Sequence, residues 1–114
     1  MKANRFEDII AWQKAKTLTL LIYRNFKLCK DFSFKNQIER ASISVMNNIA
    51  EGFERQTNKD FRNFLFIAKG SCGEIRSMLS VAVEMGYMFE KDFSTISDLT
   101  TEISRMLSGF IKTL

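Results

Sequence analysis

The residues that could do chemistry in this chain are limited first by one that is missing. There is no histidine among its 114 residues. That removes the commonest general base, the usual nitrogen ligand of a helical metal site, and any Ser-His or Cys-His nucleophile pair. A carboxylate-bridged di-iron bundle needs Glu-x-x-His pairs, and none can be built here. Lys69-Gly70-Ser71-Cys72-Gly73 lacks P-loop spacing and falls inside a helical pattern instead of at a helix N-terminus. Glu51, Glu54 and Glu74 could chelate a cation, but carboxylates on a helical surface are far more often solvated or paired with arginine. No catalytic residue, metal site or cofactor is expected. Cys29 and Cys72 both fall on apolar helix faces and read as free, buried thiols in a reducing compartment.

Two polar patterns remain. Arg40, Ser44, Asn48, Glu51 and Arg55 lie along one helical ridge at spacings of 4, 4, 3 and 4. One reading is a solvated face on which Glu51 and Arg55 form an i,i+4 pair. The other is a preorganised network of arginine, amide and carboxylate at an interface or ligand groove, with Glu74 as a further member. The second pattern is basic. Between positions 9 and 30 stand Lys14, Lys16, Arg24, Lys27 and Lys30, with no acid among them. Lys16, Arg24 and Lys27 share an arc of roughly 80° on a helix, and with no local acids they read as an exposed basic patch. Arg62, Lys69 and Arg76 repeat every seven residues. At heptad position e they would flank a helix-helix seam and pair with acids opposite, which is the favoured reading. The rival is a basic ridge able to track a phosphate backbone. The candidate nucleic-acid contacts are therefore Lys14, Lys16, Arg24, Lys27, Arg62 and Lys69. Their chemistry is phosphate neutralisation without base reading, because no basic-aromatic stacking platform is evident.

Four helices must position these side chains. Every long segment has a period of 3.5 to 3.6, and none sustains strand alternation. A first helix over about 6–29 places Trp12, Ala15, Thr19, Ile22, Phe26 and Cys29 on one face. A second, over about 34–54, aligns Ile38, Ser42, Val45, Ile49 and Phe53, with Ser33 or Asp31 as N-cap. The third carries Phe61, Leu65, Ala68, Cys72, Ile75, Leu79 and Ala82 up to Gly86, where a left-handed stop is wanted. Thr57 and Asp60 cap its start. The fourth, from about 91 onward, buries Ile96, Leu99, Ile103, Met106 and Phe110. Short connections at 30–33, 55–58 and 87–90 force antiparallel neighbours. The expected fold is all-α, an antiparallel up-down-up-down four-helix bundle, whose core holds Trp12, Ile22, Ile38, Val45, Ile49, Leu65, Ala68, Cys72, Leu79, Ile103 and Phe110.

Two features of the third helix call for a partner. Phe64, Ile67, Ser71, Glu74, Met78, Val81 and Met85 form a second stripe beside the core one, making the apolar arc wider than one core needs. Either the third helix sits deep and contacts both neighbours, or, the favoured reading, the stripe is an oligomer interface. Gly70 and Gly73 each cost about 1 kcal/mol relative to alanine in a helix. With Ser77 and Ser80 they form a strip along which another backbone could approach, close packing being the favoured role and a kink the alternative.

Composition sets the frame. The length fits one domain, 1–114, with a single core. Apolar residues are 46% and charged residues 26%, which argues for a folded chain and not a disordered one. The longest apolar run, Phe64-Leu65-Phe66-Ile67-Ala68, is far short of a membrane span. Residues 1–8 lack the apolar core and cleavage site of a secretory signal. A cytoplasmic protein with no membrane role is expected. The net charge of +4 is a mild pointer to an anionic partner.

The order Phe6-Glu7-Asp8, Ala11-Trp12-Gln13-Lys14-Ala15, Ile22-Tyr23, Gln37-Ile38, Arg40-Ala41, Ser44, Asn48-Ile49-Ala50-Glu51-Gly52, Arg55, Phe64-Leu65, Ala68, Gly70-Ser71 and Glu74 resembles the four-helix-bundle proteins encoded in intervening sequences of bacterial large-subunit ribosomal RNA genes. The resemblance covers essentially the whole chain. It implies a small bacterial bundle assembling as a homopentamer, with no established activity; despite an old ribosomal-protein label, it does not imply a ribosome component. A relative of the same fold, the accessory protein of diversity-generating retroelements, binds reverse transcriptase and nucleic acid. The implied function is a non-catalytic oligomer binding RNA or DNA, structured RNA or an RNA-protein complex in particular. A protein-protein scaffold is the alternative. Two departures stand out: Cys72-Gly73 replaces a larger apolar residue after Gly-Ser, and Lys35 replaces a hydroxyl cap, placing positive charge where the helix dipole disfavours it.

Overall fold

A computed structural model describes residues 3–114. The part of the leader reading that rests on Met1 and Lys2 lies outside them. A single 3-10 turn, Phe6–Asp8, precedes four α-helices: α1 Ile10–Asn25, α2 Phe32–Phe53, α3 Asn58–Glu84 and α4 Glu90–Lys112. No strand occurs among the described residues.

The caps explain where the helices begin and end. Asp31, not Ser33, caps α2, its Oδ1 accepting from the Phe34 N–H at 3.1 Å. Thr57 Oγ1 accepts from the Asp60 N–H at 3.1 Å and fixes the start of α3. The α3 C-terminus closes as a Schellman motif: Tyr87 N–H donates to the Ala82 carbonyl and Gly86 N–H to that of Val83. Gly86 takes φ +75°, the conformation glycine adopts without Cβ strain.

The expected first helix, 6–29, is shorter at both ends. Ile9 is extended (φ −75°, ψ 120°), so the chain turns once at Phe6–Asp8 before the helix begins. Phe6 packs edge-on against Trp12 at 5.1 Å, and Gln13 Nε2 donates to the Glu7 carbonyl at 2.9 Å. At the other end α1 stops at Asn25, so Lys27 and Cys29 sit in the following turn and not on the helix.

Each helix packs against two neighbours in the cyclic order α1-α2-α3-α4. The antiparallel bundle that the short connections require is what forms, an elongated body of 43 × 22 × 19 Å. Its core contains Ile22, Ile38, Val45, Ile49, Leu65, Ala68, Cys72, Leu79 and Ile103 as expected. Trp12 and Phe110 are only half-buried. On α1 the inward stripe is Ala11, Ala15, Leu18 and Ile22, which leaves Trp12 at its edge. Phe110 closes one end of the bundle against Phe61, ring centres 5.1 Å apart. Thr19 ties α1 to α2 by donating to the Ser42 carbonyl at 3.1 Å as well as to Ala15.

The glycines divide sharply. A Cβ on Gly52 would meet Phe64 Cβ at 2.7 Å and Phe61 Cδ1 at 2.9 Å, so α3 approaches α2 closely at Gly52. A Cβ on Gly70 or Gly73 meets nothing within 4 Å. The close packing expected at that pair is therefore not made by any described part of this chain, and α3 runs through both positions without a break.

Candidate functional site

The bundle's polar groups collect along its helix seams, and each seam differs in charge. Between α2 and α3 lies an internally satisfied network. Gln37 Nε2 donates to Glu74 Oε2 at 2.6 Å. The Ser44 and Ser71 hydroxyls share a hydrogen bond of 2.8 Å. Asn48 Nδ2 donates to the Ser44 carbonyl and hydroxyl at 2.8 and 2.9 Å. Arg55 pairs with Glu51 at 3.2 Å and lies over the Phe64 ring, 4.8 Å from its centre. Of the expected ridge, Ser44, Asn48, Glu51 and Arg55 thus form local contacts, with Glu74 bonded to Gln37. Arg40 does not join them. It is exposed and lines a shallow recess with Tyr23, Asn36 and Glu39, on the side of α2 that meets α1.

The second α3 stripe is split by the same seam. Ser71 is buried, and Phe64 and Met78 are half-covered. Ile67, Val81 and Met85 remain 52%, 48% and 59% exposed.

On α1 the basic residues part company. Lys14 forms an ion pair with Glu102 of α4 at 3.3 Å, which corrects the view of it as free of acids: the acid comes from a helix far away in sequence. Lys16 reaches over Trp12, 5.8 Å from the ring centre. Lys16, Arg24 and Lys27 are exposed. Lys27 lies beyond the helix, where its carbonyl accepts from Lys35 Nζ at 3.5 Å, so a further cation joins that end.

The α3–α4 seam overturns the favoured heptad reading. Arg62, Lys69 and Arg76 make no ion pair among the described residues, where only Arg5, Lys14 and Arg55 do. The face of α4 that meets Lys69 and Arg76 carries Thr101, Ser104, Arg105, Ser108 and Lys112, with no acid. These residues line an open groove of about 480 Å³ holding four cations. Adjoining it, Phe66 (55% exposed) stands beside Lys69, Ser108, Ile111 and Lys112. An exposed aromatic ring thus stands beside two of these cations, a juxtaposition that helical spacing alone does not reveal. Arg105 and Lys112 were hidden in a stretch whose overall charge is acidic. Their seven-residue spacing, matching that of Lys69 and Arg76, was the available signal.

Burial pushes the Cys72 thiol up to about 12, against the opposing fields of Arg76 and Lys69. No cluster of three potential metal ligands occurs among the described residues, and no helix there is long and apolar enough to cross a membrane.

Fold and surface together define a small antiparallel four-helix bundle with a tied α2–α3 seam and an uncompensated basic α3–α4 groove. Comparison gives the family: residues 7–109 match the 23S rRNA-intervening sequence protein family, and the chain belongs to it. Among solved structures it is similar to a protein of unknown function from the S23 ribosomal protein family of Bacteroides thetaiotaomicron. The two are 27% identical with a TM-score of 0.86, over 90% of this chain and 99% of that one. No curated protein matches it.

Proposed function

We propose that this protein is a non-catalytic, cytoplasmic, self-associating bundle that binds nucleic acid, structured RNA or an RNA-protein complex, by neutralising phosphates. The observation that carries the reading is the unpaired basic surface. Lys16, Arg24, Lys27, Arg62, Lys69 and Arg76 make no ion pair among the described residues. Surface cations held without acidic neighbours are the electrostatic footprint of a polyanion partner. Self-association is supported by the exposed line of Ile67, Val81 and Met85, and the number five comes from the family resemblance. Repetition of the patch around an oligomer multiplies effective concentration, so a few charges per subunit suffice. The scaffold alternative loses ground because much of the polar ridge it would use is engaged internally: Ser44 bonds Ser71 of α3, Asn48 bonds back to Ser44, and Arg55 pairs with Glu51 and lies over Phe64.

The test is fluorescence anisotropy with labelled RNA and DNA at low salt, on protein whose oligomeric mass has been verified. The wild type is expected to bind, and a Lys16→Gln/Arg24→Gln/Lys27→Gln variant to bind more weakly. Undetectable binding by the intact oligomer would overturn the reading in favour of the scaffold.

A further inference from the structure

The α3–α4 groove differs from the α1 patch in shape and in what lines it. Four cations face one another across it, Lys69 and Arg76 from α3 and Arg105 and Lys112 from α4. Along each helix the pair is seven residues apart, about 10 Å of rise. The half-buried residues Thr101, Ser104 and Ser108 of α4 line the same groove, Ser108 between its two cations and Thr101 and Ser104 just before Arg105. Lysine, arginine and serine or threonine hydroxyls are the groups that hold phosphate oxygens. No acid lines the groove, and Glu102, the neighbouring carboxylate on α4, is turned to Lys14 on α1. Along α3, Gly73 falls between the two cations in sequence and has nothing within 4 Å of its Cβ position. At the Lys112 end the ring of Phe66 stands 55% exposed beside Lys69.

We propose that this groove takes an unpaired stretch of nucleic acid, its phosphates neutralised by Lys69, Arg76, Arg105 and Lys112 and a base stacked on Phe66. The inference rests on the nucleic-acid reading above and specifies its substrate. Two considerations select an unpaired strand over a duplex. Helices pack about 8–10 Å apart, so the furrow between them is too narrow for a duplex whose major groove alone is about 12 Å wide. A duplex also keeps its bases stacked on one another and leaves the Phe66 ring facing phosphate. A single strand offers both a backbone for the cations and a free base face for the ring, a pairing that tolerates any sequence. An acidic protein or an anionic membrane would use the cations, but neither supplies a planar partner for the ring.

The experiment compares labelled oligo(dT) and a duplex of equal length in anisotropy titrations across a salt series, with oligomeric mass checked for each variant. The wild type is expected to favour the single strand. Lys69→Gln/Arg105→Gln is expected to weaken binding and make the slope of log K against log salt shallower by about 1.4, some 0.7 per lost phosphate contact. Phe66→Ala is expected to cost about tenfold in single-strand affinity with the salt slope and duplex affinity unchanged, and Phe66→Tyr to restore it. If both groove variants bind like the wild type while the α1 variant does not, the site is wrong although the nucleic-acid reading survives. If Phe66→Ala changes the oligomeric mass, the ring belongs to a subunit interface and the proposal fails. If the wild type binds neither ligand, both readings fall together.

Discussion

Replacing Gly52 by alanine tests the close approach of α3 to α2. The added Cβ would lie 2.7 Å from Phe64 Cβ, 2.9 Å from Phe61 Cδ1 and 3.3 Å from the Phe61 carbonyl. Carbon atoms in contact sit about 3.5–4.0 Å apart, so α2 and α3 must separate locally by nearly 1 Å. Neither phenylalanine can yield cheaply. Phe64 Cβ is attached directly to the backbone, and the Phe61 ring is held edge-on by Phe53 at 6.0 Å and by Phe110 at 5.1 Å. Overpacking of this kind costs about 1–3 kcal/mol, while alanine regains about 1 kcal/mol of helix propensity. Gly70→Ala is the matched control, since it gains the same propensity at a site with nothing within 4 Å. The difference between the two variants isolates the steric cost, expected at about 1–3 kcal/mol. Denaturant unfolding read through the single tryptophan, Trp12, measures it. Gly52→Ala matching Gly70→Ala in stability would refute the close approach.

Three further outcomes follow. Hydrogen bonds from Tyr87 and from the Phe34 N–H hold the Asp31 carboxyl below its ordinary 3.8. The stability this adds is therefore present above pH 3.8 and lost as pH falls through the lowered value. Asp31→Asn should flatten that part of the acid limb in pH-dependent unfolding. Cys72, buried and pushed up to about 12, should resist alkylation at neutral pH until the protein unfolds, whereas the half-buried Cys29 reacts in the native state; mass spectrometry of labelled peptides distinguishes them. Val81→Glu/Met85→Glu adds charge to an exposed apolar line. It should lower the oligomeric mass in sedimentation while leaving the helical circular dichroism of the subunit intact.

What the sequence disclosed and what it hid divide along physical lines. The periodicity of α3, its Thr57 cap and its Gly86 stop are local, each set by residues within a turn or two of one another, and all are legible. The first helix misleads because Ile9 is extended, and the Phe6–Asp8 turn before it packs back on Trp12 and against α2, which helical spacing alone cannot show. Gly52 reads as one letter of a motif until α3 lies against it. The cations are the clearest case. Spacing shows that Arg62, Lys69 and Arg76 share a face, but whether acids or further cations meet them depends on the axial register of α4. That register turns Glu102 to Lys14 and leaves Arg105 and Lys112 in the groove.

The most direct test of the central claim is the slope of log affinity against log salt for single-stranded nucleic acid bound to the verified oligomer. Phosphate neutralisation predicts a linear fall, about 0.7 per contact, so the four groove cations alone give a slope near −3. A flat line, or no binding at the lowest salt, would contradict it.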